Sequence, residues 1–174
     1  LDGEIREFRH LIGRYKHASF RLARSILTSD LTAEEAVQDA FVKAFRNLHK
    51  FRRKAAFSTW LYRIVVNESL KRVNKKQLEV DYCPFDETQN VNLSVQPEAI
   101  EKLHAEEQTE LINRILDRLK PNESLFLKLY YLEEKNMEEL RIITGYSVSN
   151  SKVMLYRARK NFARLYKEAI KEMQ

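Results

Sequence analysis

Apolar side chains recur every three or four positions along most of this chain, and the pattern stops between Gln77 and Gln96. That period lines apolar groups along one side of an α-helix, whereas a strand would alternate every second residue. Three Gly and three Pro in 174 residues leave few natural breaks. The pattern predicts an all-α protein: two small helical domains joined by a flexible acidic linker, the second a four-helix domain with a helix-turn-helix. The expected division is 1–76, a linker at 77–107 running into the first helix of the next domain, and 108–174.

In the front half, Ile5, Phe8, Ile12 and Tyr15 start a stripe that resumes at Leu22, Ala23, Ile26 and Leu27. Thr32 followed by Glu35 reads as a capping box, each side chain satisfying the other's free backbone N–H. Behind it, Ala33, Ala36, Val37, Ala40, Phe41, Ala44, Phe45 and Leu48 predict one buried face of a long helix. Glu34, Glu35, Gln38, Asp39, Lys43 and Arg46 take its other face. Ser58 or Thr59 is expected to cap the next helix, which buries Leu61, Ile64 and Val65, with Trp60 placed to join them. Arg63, Asn67, Lys71 and Asn74 lie opposite.

From Gln77 to Gln96 the residues are polar and acidic, and an unstructured stretch of roughly 20 residues is uncommon inside a compact domain. A linker or functional loop is expected there. Pro97 suits the first turn of another helix, with Ile100, Leu103, Leu111, Ile115 and Leu119 as its apolar set. Leu125, Phe126, Leu129 and Leu132 make a short helix after Pro121, and Asn136 with Glu139 can cap a helix carrying Met137, Leu140 and Ile143. Gly145 supplies a left-handed turn, Ser147 a cap, and a final helix buries Val148, Ser151, Leu155, Ala158, Phe162, Leu165 and Ala169. A short helix, a Gly turn and a longer cationic helix form a helix-turn-helix. Its exposed side offers Asn150, Lys152, Val153, Tyr156, Arg157 and Lys160.

Charge follows the same division. Residues 1–76 hold 17 Lys and Arg against 8 Asp and Glu, residues 77–107 hold 1 against 8, and residues 108–174 hold 13 against 9. Two basic blocks around an acidic one suggest two surfaces for a polyanion. Within the first block, Lys50, Arg52, Arg53 and Lys54 stand beside Phe51, Phe57, Trp60 and Tyr62, a pairing of phosphate-attracting cations with rings able to stack on bases. The competing reading has the rings filling a core with the cations as a solvated rim. Residues 147–174, with 7 Lys and Arg against 2 Asp and Glu, favour DNA over an inert hairpin.

Other chemistries find little support. There is no Gly-rich phosphate loop, no Cys/His metal spacing and no Ser/His or Cys/His nucleophile pattern. His10, His17, His49 and His104 are scattered, and adjacent acids such as Glu34 and Glu35 diverge on a helix. No catalytic residue, cofactor, metal or small-molecule substrate is expected. No apolar run reaches the roughly 20 residues of a membrane span, and the lone Cys83 suits a reducing compartment, so a cytoplasmic protein is expected.

The chain resembles the extracytoplasmic-function sigma factors of the bacterial housekeeping-sigma superfamily, from about Tyr15 to Tyr166. A-E-E-A-V-Q-D-A-F-V-K-A-F at 33–45 is similar to the first family signature, and F-S-T-W-L-Y-R-I-V-V-N at 57–67 to the second, most specific one. M-E-E-L-R-I-I-T-G-Y-S-V-S-N-S-K-V-M-L-Y-R-A-R-K at 137–160 resembles the third. The resemblance implies that Glu35, Gln38 and Asp39 face a coiled coil of core RNA polymerase. It implies minus-ten promoter binding and melting by Phe51, Arg52, Arg53, Lys54, Trp60, Arg63, Asn67 and Lys71, with capture of a flipped base. It assigns minus-thirty-five recognition to Asn150, Lys152, Val153, Tyr156, Arg157 and Lys160. The linker would thread into polymerase near the nascent RNA, and an anti-sigma protein is implied as a further partner.

The chain departs from the family at two places. After Phe51-Arg52 relatives often have Gly and then an acidic or small residue, where this chain has Arg53-Lys54. In the recognition helix many have Thr-Val-Lys-Ser-Arg where this chain has Asn150-Ser151-Lys152-Val153-Met154. A stand-alone helix-turn-helix regulator is the alternative reading; it explains the C-terminal half but leaves 33–67 without a role.

Overall fold

The computed structural model describes residues 2–76 and 105–172, and within them every regular element is helical. Helices α1 (Asp2–Ile26), α2 (Asp30–Arg46) and α3 (Phe57–Lys76) make the front half, with a 3-10 turn at Leu48–Lys50. Helices α4 (Ala105–Arg118), α5 (Pro121–Leu127), α6 (Met137–Thr144) and α7 (Val148–Glu172) make the second, with a π turn at Lys128–Leu132 after α5. The expected linker at 77–107 lies outside the described residues up to 104, as do Pro97, Ile100 and Leu103; so does the side chain of Asn74.

Several boundaries differ from the sequence reading. The two stripes of the first segment belong to one unbroken helix, α1. The Thr32–Glu35 capping box is absent, because α2 starts earlier, at Asp30, behind Ser29 in extended geometry. Ala33 N–H already reaches Ser29 O at 3.0 Å, and the Thr32 hydroxyl donates to that same oxygen at 3.0 Å. Asp30 supplies an acid in the first turn, where the helix dipole favours one. Ser58 and Thr59 do not cap α3, which begins at Phe57; both sit inside the helix and are buried.

The C-terminal signals correspond to real caps. Asn136 and Glu139 form a reciprocal capping box, with bonds of 3.0 and 3.1 Å. Gly145 ends α6 at φ 81°, a left-handed conformation that a Cβ would strain. The Ser147 hydroxyl accepts from Asn150 N–H at 3.1 Å. Leu132, expected on the buried face, is 48% exposed. The π turn inserts an extra residue per turn, so Glu133 N–H bonds Lys128 O and the buried side after Leu129 is carried away from Leu132.

In the front half, Ala33, Ala36, Ala40 and Ala44 are fully buried and let α2 approach closely, while Leu22, Leu61 and Val65 fill the space between the helices. Each such leucine contributes about 1.5–3 kcal/mol on burial. Phe126, Leu129, Leu140, Ile143, Leu155 and Ala158 do the same for the second half. The halves also touch each other, α3 against α6 and α1 against α5. That contact fixes what surrounds α3.

Candidate nucleic-acid interface

The segment joining the 3-10 turn to α3 gathers rings and cations at one place. Phe51 N–H closes the 3-10 turn onto Leu48 O at 3.0 Å. The Phe51 ring lies 5.3 Å from Trp60 and 5.6 Å from Phe57, and Phe57 lies 5.6 Å from both Trp60 and Tyr15. These rings are half-buried, and Phe57 and Trp60 lean on the core. The rings rest on packed residues yet keep open surface. Arg52, Arg53 and Lys54 are exposed beside them. Arg53 has φ 55°, so the position that relatives often fill with Gly keeps a Gly-like backbone here. Trp60, Arg63, Asn67 and Lys71 follow at helical spacing along α3, the last three exposed.

A buried acid organises the end of that stripe. Glu68 accepts from Lys43 of α2 at 2.8 Å and from Lys71 at 3.0 Å, both on one carboxylate oxygen. Burial alone would raise its pKa, but the two ammonium groups outweigh it and hold the carboxyl below its ordinary range. The bond to Glu68 in turn raises Lys43 above its ordinary value, against a smaller opposing effect of burial. Four residues on, Arg72 donates to Asp39 at 2.5 Å. Glu68 and Arg72 escaped the sequence reading because their partners on α2, Lys43 and Asp39, lie 25 and 33 positions away.

Glu35, Gln38 and Asp39 are exposed on α2. With them stand Leu31, Val42 and Phe45, 66%, 48% and 37% exposed. Phe45 was expected in the buried face; it turns outward and meets Phe8 with ring centres 5.1 Å apart. Leu31, Glu35, Gln38, Val42 and Phe45 are separated by alternating steps of four and three, the spacing of a seam that accepts another helix. That spacing is present in the sequence, beside the stripe of small alanines that forms the buried face. An open groove of about 450 Å³ runs next to this seam, with Phe20 and Val37 among its walls and Lys16, His17, Glu34 and Gln38 completing its lining.

On α7, Lys152, Arg157 and Lys160 are exposed, while Asn150, Val153 and Tyr156 are partly covered. Arg159 turns away from them: it donates to the Tyr131 hydroxyl at 2.7 Å and lies over the rings of Tyr130 and Tyr131. Ser151, where many relatives have Val, is fully buried and its hydroxyl has no hydrogen-bond partner. Among the described residues, no cluster of three or more His, Cys, Asp or Glu is placed to hold a metal.

Residues 11–79, which run from α1 past the end of α3, match the Sigma-70 region 2 family. The sigma-E factor of Escherichia coli K12 is 28% identical over 166 residues, covering 90% of this chain and 85% of that one. SigM of Bacillus subtilis is 27% identical, covering 91% and 94%. Residues 11–79 thus carry a Sigma-70 region 2 domain, and the relatives matched over most of the chain are named extracytoplasmic-function RNA polymerase sigma factors. The chain shares its fold with RpoE of Bartonella quintana, solved in complex with the anti-sigma factor NepR (TM-score 0.68, 22% identity, 92% of this chain and 97% of that one). It also matches CnrH, solved with the cytosolic domain of CnrY (TM-score 0.62, 21% identity, 94% and 89%). No helix among the chain's described residues is long and apolar enough to cross a membrane.

Proposed function

We propose that this chain is an extracytoplasmic-function sigma factor that binds core RNA polymerase through the outer face of α2, carries it to promoters, and holds one melted strand along 51–71 while α7 reads the upstream minus-thirty-five element. The division of labour follows the boundaries 1–76, 77–107 and 108–174. Glu35, Gln38 and Asp39, with Leu31, Val42 and Phe45 around them, offer a helical seam to a helical partner. Phe51 and Trp60 offer rings to an unstacked base, and Arg52, Arg53, Lys54, Arg63 and Lys71 offer positive charge to its backbone, with Asn67 between them for a base edge. Melting needs no nucleotide hydrolysis, since stronger binding to the open strand than to the duplex shifts the equilibrium. Unstacking costs a few kcal/mol, and ring contacts of about 1–3 kcal/mol per base offset it.

The observation that carries this reading is the ring cluster of Phe51, Phe57 and Trp60 beside an exposed cationic loop, within the stretch that matches region 2. An anti-sigma protein is the expected regulator, as found with the structurally similar RpoE, and the cytoplasm is the compartment where polymerase and promoter meet. A gel-shift on promoter DNA, with and without core polymerase, tests the proposal. A specific shift only with polymerase supports a sigma factor; an equally specific shift from the chain alone supports a self-sufficient regulator.

A further inference from the structure

Two acids of the second half lie on donors of the first. Glu133 accepts from Arg21 at 2.6 Å through one carboxylate oxygen and from the Tyr62 hydroxyl at 2.6 Å through the other. Glu139 accepts from the Thr59 hydroxyl at 2.5 Å. Between them Lys135 donates to Ser58 at 2.9 Å, stands 3.8 Å from Glu139 and lies over the Tyr62 ring. Thr59 and Tyr62 are fully or almost fully buried, and they flank Trp60 and Arg63 on α3. The seam is thus polar where the proposed DNA-binding helix is covered.

We infer that Arg21, Thr59 and Tyr62 form a binding site for a DNA backbone phosphate, and that Glu133 and Glu139 occupy it while the two halves are closed on each other. This rests on the reading of 51–71 as the strand-holding surface. A phosphate oxygen and a carboxylate oxygen call for the same donors, a guanidinium and hydroxyls at charge-assisted distances. A strand lying along Trp60 and Arg63 passes beside Thr59 and Tyr62, so its phosphates compete directly with the two acids. The closed chain holds its own DNA surface shut by a chemical mimic of the ligand, and polymerase or DNA must displace the second half to expose the site.

The test uses the full chain without polymerase, at low salt, and a fluorescently labelled single-stranded oligonucleotide followed by anisotropy. Glu133→Gln with Glu139→Gln keeps side-chain size and the capping box but weakens the hold on the donors. The control pair, Glu134→Gln with Glu138→Gln, removes the same charge from neighbouring residues that make no contact with those donors. The first pair is expected to bind about fivefold tighter or more, the control pair far less so, and Arg21→Ala added to the first pair to abolish the gain. Equal gains in both pairs, or no gain in the first, overturn the inference; circular dichroism melts establish that each variant is folded. Replacing Arg52, Arg53 and Lys54 together by Ala separates the two levels. If that variant binds as wild type does, the reading of 51–71 fails; if it loses binding while the acid pair shows no gain, only the phosphate site fails.

Discussion

Lys43 on α2 and Lys71 on α3 share a single oxygen of Glu68, at 2.8 and 3.0 Å. One acid thereby joins the helix proposed to meet polymerase to the stripe proposed to meet DNA. Because Glu68 is held below the ordinary glutamate range, its stabilising effect is complete above that range and is lost as pH falls through the lowered folded value. Thermal melts across acidic pH should show the wild type losing stability there and Glu68→Gln losing less. At neutral pH the variant should be less stable by about 1 kcal/mol, a modest figure because both lysines are largely exposed.

Arg53 holds a left-handed backbone in an exposed loop. For a residue with a Cβ that conformation costs roughly 1–2 kcal/mol, part of which Gly gives back through a freer unfolded chain. Arg53→Gly should therefore melt no lower than wild type while binding promoter DNA more weakly in the presence of polymerase. The loss should shrink as salt rises, because one fewer phosphate contact lowers the salt slope by about 0.7–0.9. Arg53→Lys, with the same Cβ and charge, should keep both the affinity and the stability of the wild type.

Two arginines on α7 should behave oppositely. Arg157 is exposed on the proposed recognition face, whereas Arg159 is committed to Tyr130 and Tyr131. Arg157→Ala should weaken binding to an upstream element. Arg159→Ala should lower the melting temperature and leave DNA affinity nearly unchanged. Competition gel-shifts of the polymerase complex, paired with melts of the isolated chain, read both effects. Unchanged affinity for Arg157→Ala at moderate salt would contradict the assignment of α7.

Lys128 is a buried ammonium whose nearest acid, Asp117, stands 3.8 Å away. Burial lowers its pKa, only partly opposed by Asp117, and the charges of Arg24 and Arg21 add to the lowering. A lowered folded value means that stability at this site is fully present above the ordinary lysine range and diminishes as pH falls through the folded value. Lys128→Met keeps the bulk and removes the charge, so it should raise neutral-pH stability by about 1–3 kcal/mol. Melting curves of the variant and wild type should converge at strongly alkaline pH, where the lysine is neutral in both states.

Local features were the legible ones. The ring cluster could be read from the sequence because Phe51, Phe57 and Trp60 sit within ten residues, and the Asn136–Glu139 box and the Gly145 turn because their partners are three and four residues away. Thr32 misled because its spacing to Glu35 suits a capping box, but Ser29 already supplied the start of α2. Leu132 misled because a π turn breaks the 3.6-residue count. The contacts of Glu68 with Lys43, of Arg72 with Asp39 and of Glu133 with Arg21 were not legible, since each reaches across 25 or more positions and depends on how packed helices meet. The same holds for the contact between the two halves, which charge blocks and a polar linker do not announce.

The most direct test is run-off transcription with bacterial core polymerase on a promoter library. Discrete transcripts should appear only when chain and core are both present, and they should vanish when Arg52, Arg53, Lys54 and Trp60 are replaced together by Ala while polymerase binding persists. A chain that does not associate with the core, or that associates without selecting any start site, would contradict the proposed role.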